Sequence, residues 1–391
     1  MQQRILKEGL VRMEFRDLKR QYAIIKDRVD YNIAKVIEST CFIGGQMVDA
    51  LEDELAMFID SKHCITCANG TDALLIALMA WGIGKNDAVF VPDFTFFSSG
   101  EVVSTLGATP IFVDVRKDTF NIDAKSLEEQ IRATIEAGRL NPKAIIAVDL
   151  FGQTAEYDEI ANIGKKYGLY ILEDGAQGFG GRIGNKMACS FGDIATTSFF
   201  PAKPLGCYGD GGAIFTNNDE WAEVMRSIKV HGKGTNKYDN VRIGMNSRLD
   251  SIQAAVLNAK LPVFINEELI NEQEIAYKYT QQLKDIVKTP VILNNYISSW
   301  AQYTIKLDDR QIRDGLQLSL RKEGVPTMIY YSKPMHRQKA FMDNGYEYDD
   351  EKFPVTNRLC DTVLSIPFHP YLIDEEISMV CDCIKRYINK I

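Results

Sequence analysis

The sequence predicts an α/β protein with a large, mostly parallel sheet and a smaller C-terminal α+β domain. Short runs that are apolar on both faces alternate with helical stretches, and this pattern changes near residue 257. Strands of a parallel sheet are covered by helices on both sides, so they are apolar throughout and do not alternate. A chain of 391 residues is long enough for one large domain and a second, smaller one.

Six apolar runs are predicted to be strands. They are Ala88–Pro92, Pro110–Val115, Ala144–Gly152, Leu169–Asp174, Ile194–Phe200 and Ala213–Asn217. Helical spacing is found at Lys19–Ser39, Met47–Ile59, Tyr157–Gly168 and Leu249–Tyr279, and a new α+β pattern begins near Tyr303. We therefore divide the chain into an N-terminal extension (1–12), a large domain (13–256) and a small domain (257–391).

Composition narrows the function classes. Hydrophobic residues make up 46% and charged residues 25% of the chain, as in ordinary globular proteins, and the net charge of −8 argues against nucleic acid or an anionic membrane as a partner. No apolar run is long enough to span a bilayer, and the N-terminus lacks the apolar core of a secretory signal. We expect a cytoplasmic protein whose eight cysteines are reduced and hold no structural zinc.

The first candidate site follows the predicted strand His63–Cys67. Asn69 and Gly70 permit a tight turn, and an apolar helix begins at Thr71 or Asp72. Free backbone N–H groups at such a helix start can bind a phosphate, although an ordinary capped helix would have the same sequence. The P-loop pattern is absent, which argues against a nucleoside triphosphate site.

The second candidate is Asp174, at the end of a strand that is almost entirely apolar. A buried carboxylate needs a partner, although capping of a turn would also explain it. The glycines that follow, Gly178, Gly180 and Gly184, resemble a dinucleotide-binding loop in spacing. Such a loop must open directly into a helix, and no helical period follows here. A dehydrogenase is therefore the weakest interpretation.

The third candidate is Lys203, the only basic residue between Ala195 and Asn218. Its neighbours are apolar, proline or glycine, which suggests a desolvated amine on a rigid loop next to the sheet. Desolvation lowers the pKa of an amine and makes it nucleophilic, as Schiff-base chemistry requires. A solvated surface lysine is the alternative.

Together, a phosphate-binding turn, a buried acid and a nucleophilic lysine match the needs of pyridoxal phosphate. The motifs that carry this match are Ala68–Asp72, Pro92–Phe96, Glu173–Gln177, Ser198–Gly206, Gly209–Gly212 and Gly244–Arg248. With them the chain, from about Met13 onward, resembles the DegT/DnrJ/EryC1/StrS sugar-nucleotide aminotransferases. The resemblance implies the fold-type-I, aspartate aminotransferase-like architecture, with a seven-stranded sheet in its large domain.

The resemblance also implies roles for individual residues. Lys203 would bind the cofactor covalently and move the proton, and Asp174 would pair with the pyridine nitrogen. Cofactor contacts are implied for Gly70, Thr71, Asp72, Phe96, Gln177, Ser198 and Asn246, with Asn246 reaching the phosphate of a neighbouring subunit. Substrate contacts are implied for Arg248, Tyr331 and His336. Each active site would therefore need a homodimer.

Three residues depart from the family pattern. Gly175 replaces the usual alanine, and we expect this to loosen the packing beneath the cofactor ring. Asp149 and Tyr330 each occupy a position where many relatives have histidine. The contact usually made by the histidine at position 330 is therefore in question.

The expected reaction is glutamate-dependent amination of a nucleotide-linked keto-sugar for surface polysaccharide and O-antigen biosynthesis. The run Ser198–Asn217 most resembles enzymes that aminate C3 of a UDP-linked 3-keto-N-acetylhexosamine or its uronic acid. C4 amination and a non-catalytic regulatory protein that binds pyridoxal phosphate stay open as alternatives. Related dehydratases have histidine in place of the reactive lysine, so Lys203 argues against that activity.

Overall fold

The computed structural model describes residues 13–236, 238–343, 346 and 348–391. The expected extension at residues 1–12 lies outside this range. The helices are α1 (Leu18–Ser39), α2 (Gln46–Ile59), α3 (Gly70–Ala80), α4 (Ser98–Thr105), α5 (Ala124–Ala137), α6 (Tyr157–Tyr167), α7 (Asp219–Ile228), α8 (Ser251–Val263), α9 (Leu269–Leu283), α10 (Arg310–Lys322), α11 (Lys339–Asp343), α12 (Pro354–Thr362) and α13 (Asp374–Ile388).

The strands are β1 (His63–Cys67), β2 (Asp87–Pro92), β3 (Thr109–Val113), β4 (Asn141–Val148), β5 (Tyr170–Asp174), β6 (Arg182–Ile183), β7 (Lys186–Met187), β8 (Ile194–Ser198), β9 (Gly212–Thr216), β10 (Tyr296–Ile297), β11 (Tyr303–Lys306) and β12 (Val363–Ile366). Seven of them form one sheet in the order β1-β9-β8-β5-β4-β2-β3. All run in the same direction except β9, which is antiparallel to both neighbours. The predicted large, mostly parallel sheet is confirmed.

Alternation within β4 shows how the sheet is covered on both faces. Ile146 and Val148 pack on the face covered by α3, α4 and α7, whereas Ile145 and Ala147 pack on the face covered by α5 and α6. Towards the β1 edge, α2 and α8 cover the second face. Because both faces are buried, the strands are continuously apolar, which is why the sequence revealed them.

A second, smaller core surrounds the antiparallel pair β11 and β12. Helices α9, α10 and α13 pack on this pair, and the N-terminal segment joins them through Met13. Among the described residues, no helix combines the length and apolarity that a membrane span requires.

The connection between the two cores is a long helical stretch, α8 and α9, joined by a π-helical turn at Phe264–Glu268. Buried residues of this stretch as far as Phe264 belong to the core of the large sheet, and Leu269 packs against it, whereas residues from Ile275 onward belong to the second core. The predicted boundary at residue 257 therefore falls inside a helix. The division into two domains stays a prediction.

Candidate active site

The β1–α3 turn provides backbone N–H groups for an anion. Asn69 caps α3 by accepting a hydrogen bond of 2.8 Å from the Asp72 amide through Oδ1. Within the described residues, the Gly70 and Thr71 amides have no acceptor. We predicted that all three amides hold a phosphate; the structure already engages that of Asp72, because the asparagine cap folds back onto it.

Close backbone packing shapes this turn. A Cβ placed on Gly70 would lie 2.7 Å from Cβ of Ser198, and one placed on Gly212 would lie 2.6 Å from the carbonyl of Asn69. Ser198, at the end of β8, thus brings its hydroxyl next to the start of α3. A side chain at either glycine would fill the space around the backbone donors and the Ser198 hydroxyl. Because both positions are glycine, this space stays open, and the turn fits a phosphate group.

Asp174 ends β5 and is buried. Its Oδ2 accepts a hydrogen bond of 2.8 Å from Ser99 Oγ, and its Oδ1 accepts one of 3.3 Å from the Ala176 amide. Burial raises the pKa of this carboxyl, while the Ser99 hydrogen bond and the positive charge of Lys203 oppose the rise. A carboxylate has room for further donors, so Asp174 can accept a hydrogen bond from a protonated ring nitrogen.

Lys203 lies on the loop between β8 and β9, whose turn is closed by a 2.8 Å hydrogen bond from the Lys203 amide to the Phe200 carbonyl. Burial lowers the pKa of its amine, and the charge of Asp174 opposes this shift. The structure thus brings together the two residues predicted to be catalytic, which are 29 positions apart in the sequence. Lys203 as a whole is half-buried, and the lowered pKa of its amine agrees with the apolar sequence context.

Gln177 and Tyr331 form the next part of the site. Gln177 Oε1 accepts a hydrogen bond of 2.8 Å from the Phe151 amide, and its Nε2 donates one of 3.1 Å to the Tyr331 hydroxyl. The ring of Tyr331 lies 6.4 Å from that of Phe96, which is 55% exposed. Phe96 therefore has a free ring surface on which a cofactor could stack.

Asn246 and Arg248 are both exposed, and Asn246 Oδ1 accepts a hydrogen bond of 3.0 Å from Arg248 Nε. Within the described part of the chain, no hydrogen bond connects either side chain to Lys203 or Asp174. Their predicted roles stay predictions, and their exposure is compatible with contacts to a second subunit.

His336 is buried, and both of its ring nitrogens are engaged. Nδ1 lies 2.7 Å from Asp93 Oδ2, and Nε2 lies 2.7 Å from Asp350 Oδ1. Its ring also stacks on Phe353. The predicted substrate contact of His336 stays a prediction, because these partners occupy the ring in this structure.

The departures from the family pattern have local explanations. A Cβ on Gly175 would lie only 2.4 Å from Cys189 Sγ, so the expectation of loose packing there is wrong. The cysteine fills the space that an alanine methyl would need. Tyr330 packs edge-on against Phe15 at 6.3 Å.

Asp149 lies in the core and accepts hydrogen bonds of 2.9 Å from the Tyr157 hydroxyl and the Ala155 amide. Burial and the neighbouring Glu173 raise the pKa of Asp149 well above its ordinary value. Asp149 is therefore held in the core by its own hydrogen-bond partners.

Sequence reasoning missed Ser99, which orients Asp174. The available signal was the pair Ser98 and Ser99, which begins a helix that follows a strand. It also missed Arg16 and Lys260, which donate hydrogen bonds to the loop of Lys203. No local sequence pattern distinguishes these two residues from lysines and arginines that lie on the surface in contact with solvent.

A seven-stranded sheet with a desolvated lysine, a buried acid and a phosphate-binding turn defines a pyridoxal phosphate enzyme of fold type I. Comparison with known proteins extends this result. Residues 23–385 match the DegT/DnrJ/EryC1/StrS aminotransferase family, and the chain belongs to that family. The expectations of a pyridoxal phosphate cofactor and of aminotransferase activity are thereby confirmed.

Individual relatives cover nearly the whole chain. A UDP-2-acetamido-2-deoxy-3-oxo-D-glucuronate aminotransferase from Pseudomonas aeruginosa is 45% identical over 94% of this chain and 98% of its own length. A pleiotropic regulatory protein from Geobacillus stearothermophilus is 39% identical, with 95% and 97% covered. The crystal structure of a family aminotransferase from Brucella abortus superimposes with a TM-score of 0.93 at 47% identity, covering 96% of this chain and 99% of that one.

Proposed function

We propose that this protein transfers the amino group of L-glutamate to the keto carbon of a nucleotide-linked sugar. The substrate we propose is a UDP-linked 3-keto-N-acetylhexosamine or its uronic acid, used in surface polysaccharide biosynthesis in the cytoplasm. The half-buried Lys203, whose amine interacts with the charge of buried Asp174, carries the reaction type. Similarity to the Pseudomonas aeruginosa enzyme supports the substrate class.

The residues of the site fit pyridoxal phosphate. When bound, this cofactor supplies an electron sink for the negative charge that develops on the substrate carbon. The Gly70 and Thr71 amides and the Ser198 hydroxyl would hold its phosphate, and Phe96 would cover one face of its ring. Asp174, oriented by Ser99, would keep a proton on the ring nitrogen.

Lys203 is suited to binding the cofactor and then moving a proton. Because burial lowers the pKa of its amine, more of the Nζ is unprotonated near neutral pH than in a solvated lysine. A neutral Nζ would be able to hold the cofactor through its carbonyl group and, once free, would accept a proton from the substrate carbon. Asp174 sets the limit of this shift, because its negative charge favours the protonated amine.

The proposal includes a homodimer with shared active sites. Val241 and Ile243 are 55% and 86% exposed, and they precede Asn246 and Arg248 on the same segment. Phe42, which is 47% exposed, lies next to the start of α8, three residues after Arg248, because its carbonyl accepts a hydrogen bond from the Ser251 amide. A second copy of the chain would bury these apolar groups and bring Asn246 and Arg248 to a neighbouring site.

One relative is named as a regulatory protein, so cofactor binding without turnover is the competing function. Covalent binding of the cofactor uses the desolvated amine as well, but it does not require a buried acid that a serine orients towards the ring nitrogen. The Lys203, Asp174 and Ser99 arrangement therefore favours catalysis.

The test combines labelling with turnover. Borohydride reduction of the holoprotein and peptide mapping should place the pyridoxyl group on Lys203. The wild type should aminate the acceptor 2-oxoglutarate in the reverse direction with a UDP-linked 3-amino sugar, whereas Lys203→Ala should be inactive. The exposed Lys284→Ala variant is the matched control and should keep full activity.

Each alternative has its own outcome. A label on another lysine would overturn the assignment of the site. Label on Lys203 without turnover of UDP- or dTDP-linked amino sugars would favour the regulatory function. Turnover of only 4-amino sugars would retain the reaction class and overturn the C3 assignment.

A further inference from the structure

Two buried cations lie beneath the loop that carries Lys203, and the reaction does not use either of them directly. Arg16 comes from the segment before α1, and Lys260 comes from the last turn of α8. Side chains of both are almost completely buried. Lysine and arginine are rarely buried unless they have a specific partner, so their contacts need an explanation.

Both residues donate to backbone carbonyls on the same side of Lys203. Arg16 Nη2 donates a hydrogen bond of 3.2 Å to the Pro204 carbonyl, and Lys260 Nζ donates one of 2.5 Å to the Gly206 carbonyl. These carbonyls lie one and three residues after Lys203. The loop is thus fixed by two donors from separate parts of the chain.

Arg16 makes no other hydrogen bond through its side chain within the described residues. Its closest carboxylate, Glu272, lies 3.9 Å away, and Arg16 Nη1 is buried without an acceptor. A guanidinium placed for a salt bridge would normally satisfy a carboxylate with two short bonds. The shortest polar contact of the Arg16 guanidinium is instead the hydrogen bond to the Pro204 carbonyl.

Lys260 has a similar arrangement. Besides the Gly206 carbonyl, its Nζ lies 4.7 Å from the centre of the Tyr208 ring, which belongs to the same loop. Burial lowers the pKa of Lys260 to about 8, and the charge of Glu268 partly opposes this shift. In the part of the chain that the structure describes, the hydrogen bond and the ring contact of the ammonium group are thus both made with residues 206–208.

The N-terminal segment also links this loop to the smaller core. Met13 packs in that core, and the Phe15 carbonyl accepts a hydrogen bond of 3.1 Å from the Phe368 amide. Arg16 follows directly and contacts Pro204. The position of the loop is therefore connected, through two adjacent residues, to the C-terminal part of the chain.

We infer that Arg16 and Lys260 are positioning residues that hold the Lys203 loop so that Nζ meets the cofactor carbonyl. This inference rests on Lys203 being the attachment site. An error of about 1 Å in the placement of a reacting group can cost a hundredfold in rate, so two buried donors on this loop have a direct effect on attachment. Neither residue touches the cofactor or the substrate in this scheme.

The experiment uses Arg16→Met and Lys260→Met, which retain much of the apolar stem and remove the donor. The control is Lys306→Met, because Lys306 also donates to a backbone carbonyl, that of Lys117, and lies 5.2 Å from an aromatic ring, Phe120, away from the loop. Rates of pyridoxal phosphate attachment to apoprotein are followed by the visible absorbance band. Thermal unfolding and amide hydrogen exchange of residues 200–207 are measured on the same apoproteins.

We expect Arg16→Met and Lys260→Met to slow attachment by about tenfold, the effect of losing one hydrogen bond from a charged donor. Both should also speed exchange at residues 200–207 and move the pH midpoint of the absorbance band. Lys306→Met should change thermal stability only. Arg16→Lys keeps a donor and should restore part of the attachment rate. If Lys260→Met fails to fold, the comparison of Arg16→Met with Arg16→Lys decides whether the donor positions the Lys203 loop.

Two outcomes separate this inference from the proposed function. Peptide mapping that places the label on a lysine other than Lys203 would remove the basis of both. Label on Lys203, with attachment rates and pH midpoints in Arg16→Met and Lys260→Met equal to those of Lys306→Met, would overturn only the positioning role.

Discussion

Ser99 donates a hydrogen bond of 2.8 Å to Asp174, joining the start of α4 to the end of β5. The bond fixes the rotation of the carboxylate and partly opposes the rise in its pKa that burial causes. A fixed, ionised acid at this position can keep a cofactor ring nitrogen protonated. The Ser99 and Asp174 pair therefore favours a cofactor whose ring nitrogen is protonated.

Asp174→Asn should lower turnover by about a hundredfold or more, because a preorganised charge opposite developing charge is lost. Cofactor binding should persist through the phosphate contacts at Gly70 and Ser198. Steady-state kinetics and cofactor titration check the two parts separately. Ser99→Ala is the graded control and should cost about tenfold, since one hydrogen bond to a charged group is removed. Near-normal turnover of the Asn variant would reduce Asp174 to a structural residue.

Gly175→Ala should destabilise the protein by about 1–3 kcal/mol, because the new methyl would overlap Cys189 Sγ. Cys189→Ala removes that sulfur and should also be destabilising on its own, through a small cavity. The double variant should be more stable than the sum of the single effects predicts, because the new methyl occupies the space the sulfur left. Denaturant unfolding of all four proteins completes the cycle. Additive losses would show that the two side chains do not compete for space.

His336 should make stability depend on pH. Burial opposes its charged form, but the hydrogen bonds and charges of Asp93 and Asp350 outweigh burial and raise the pKa of His336 above its ordinary 6.5. A raised pKa in the folded state stabilises the fold below about pH 6.5, and this contribution is lost as pH rises through the folded pKa. The stability advantage of wild type over His336→Gln should therefore shrink from pH 6 to pH 9.

Urea unfolding at several pH values checks this prediction. His63→Gln is the control, because among the residues that the structure describes the His63 ring pairs with one carboxylate, that of exposed Asp219. Its stability difference from wild type should vary less over the same range. A constant difference for His336→Gln would mean that folding leaves the pKa of His336 unchanged, so that the two carboxylates only offset the effect of burial.

Mixed dimers test the shared site. Lys203→Ala and Asn246→Asp chains should each be inactive as homodimers, the second because a new negative charge would repel the cofactor phosphate. In a mixed dimer, one site would carry both defects and the other neither. Activity should rise above both parents, to about half that of a wild-type dimer per heterodimer. Heterodimers verified by native mass spectrometry but without activity would place Asn246 in the site of its own chain.

The sequence by itself determined the sheet and the central chemistry. Strands such as β4 and β5 are apolar on both faces, so their pattern is local and can be read directly. The predictions at Lys203 and Asp174 rest on a signal of the same kind, because each is a charged residue set in an apolar stretch. The turn at Asn69 and Gly70 likewise has a local signature.

Only the tertiary structure decided which groups these residues meet. The contact between Gly175 and Cys189 reversed the expectation of loose packing, and the two carboxylates around His336 come from segments far apart along the chain. Arg16 reaches Pro204 across 188 positions, and Lys260 reaches Gly206 across 54. Hydrogen bonds over such separations depend on how the helices pack on the sheet. No local sequence pattern encodes them, because the burial that makes these cations significant exists only in the folded chain.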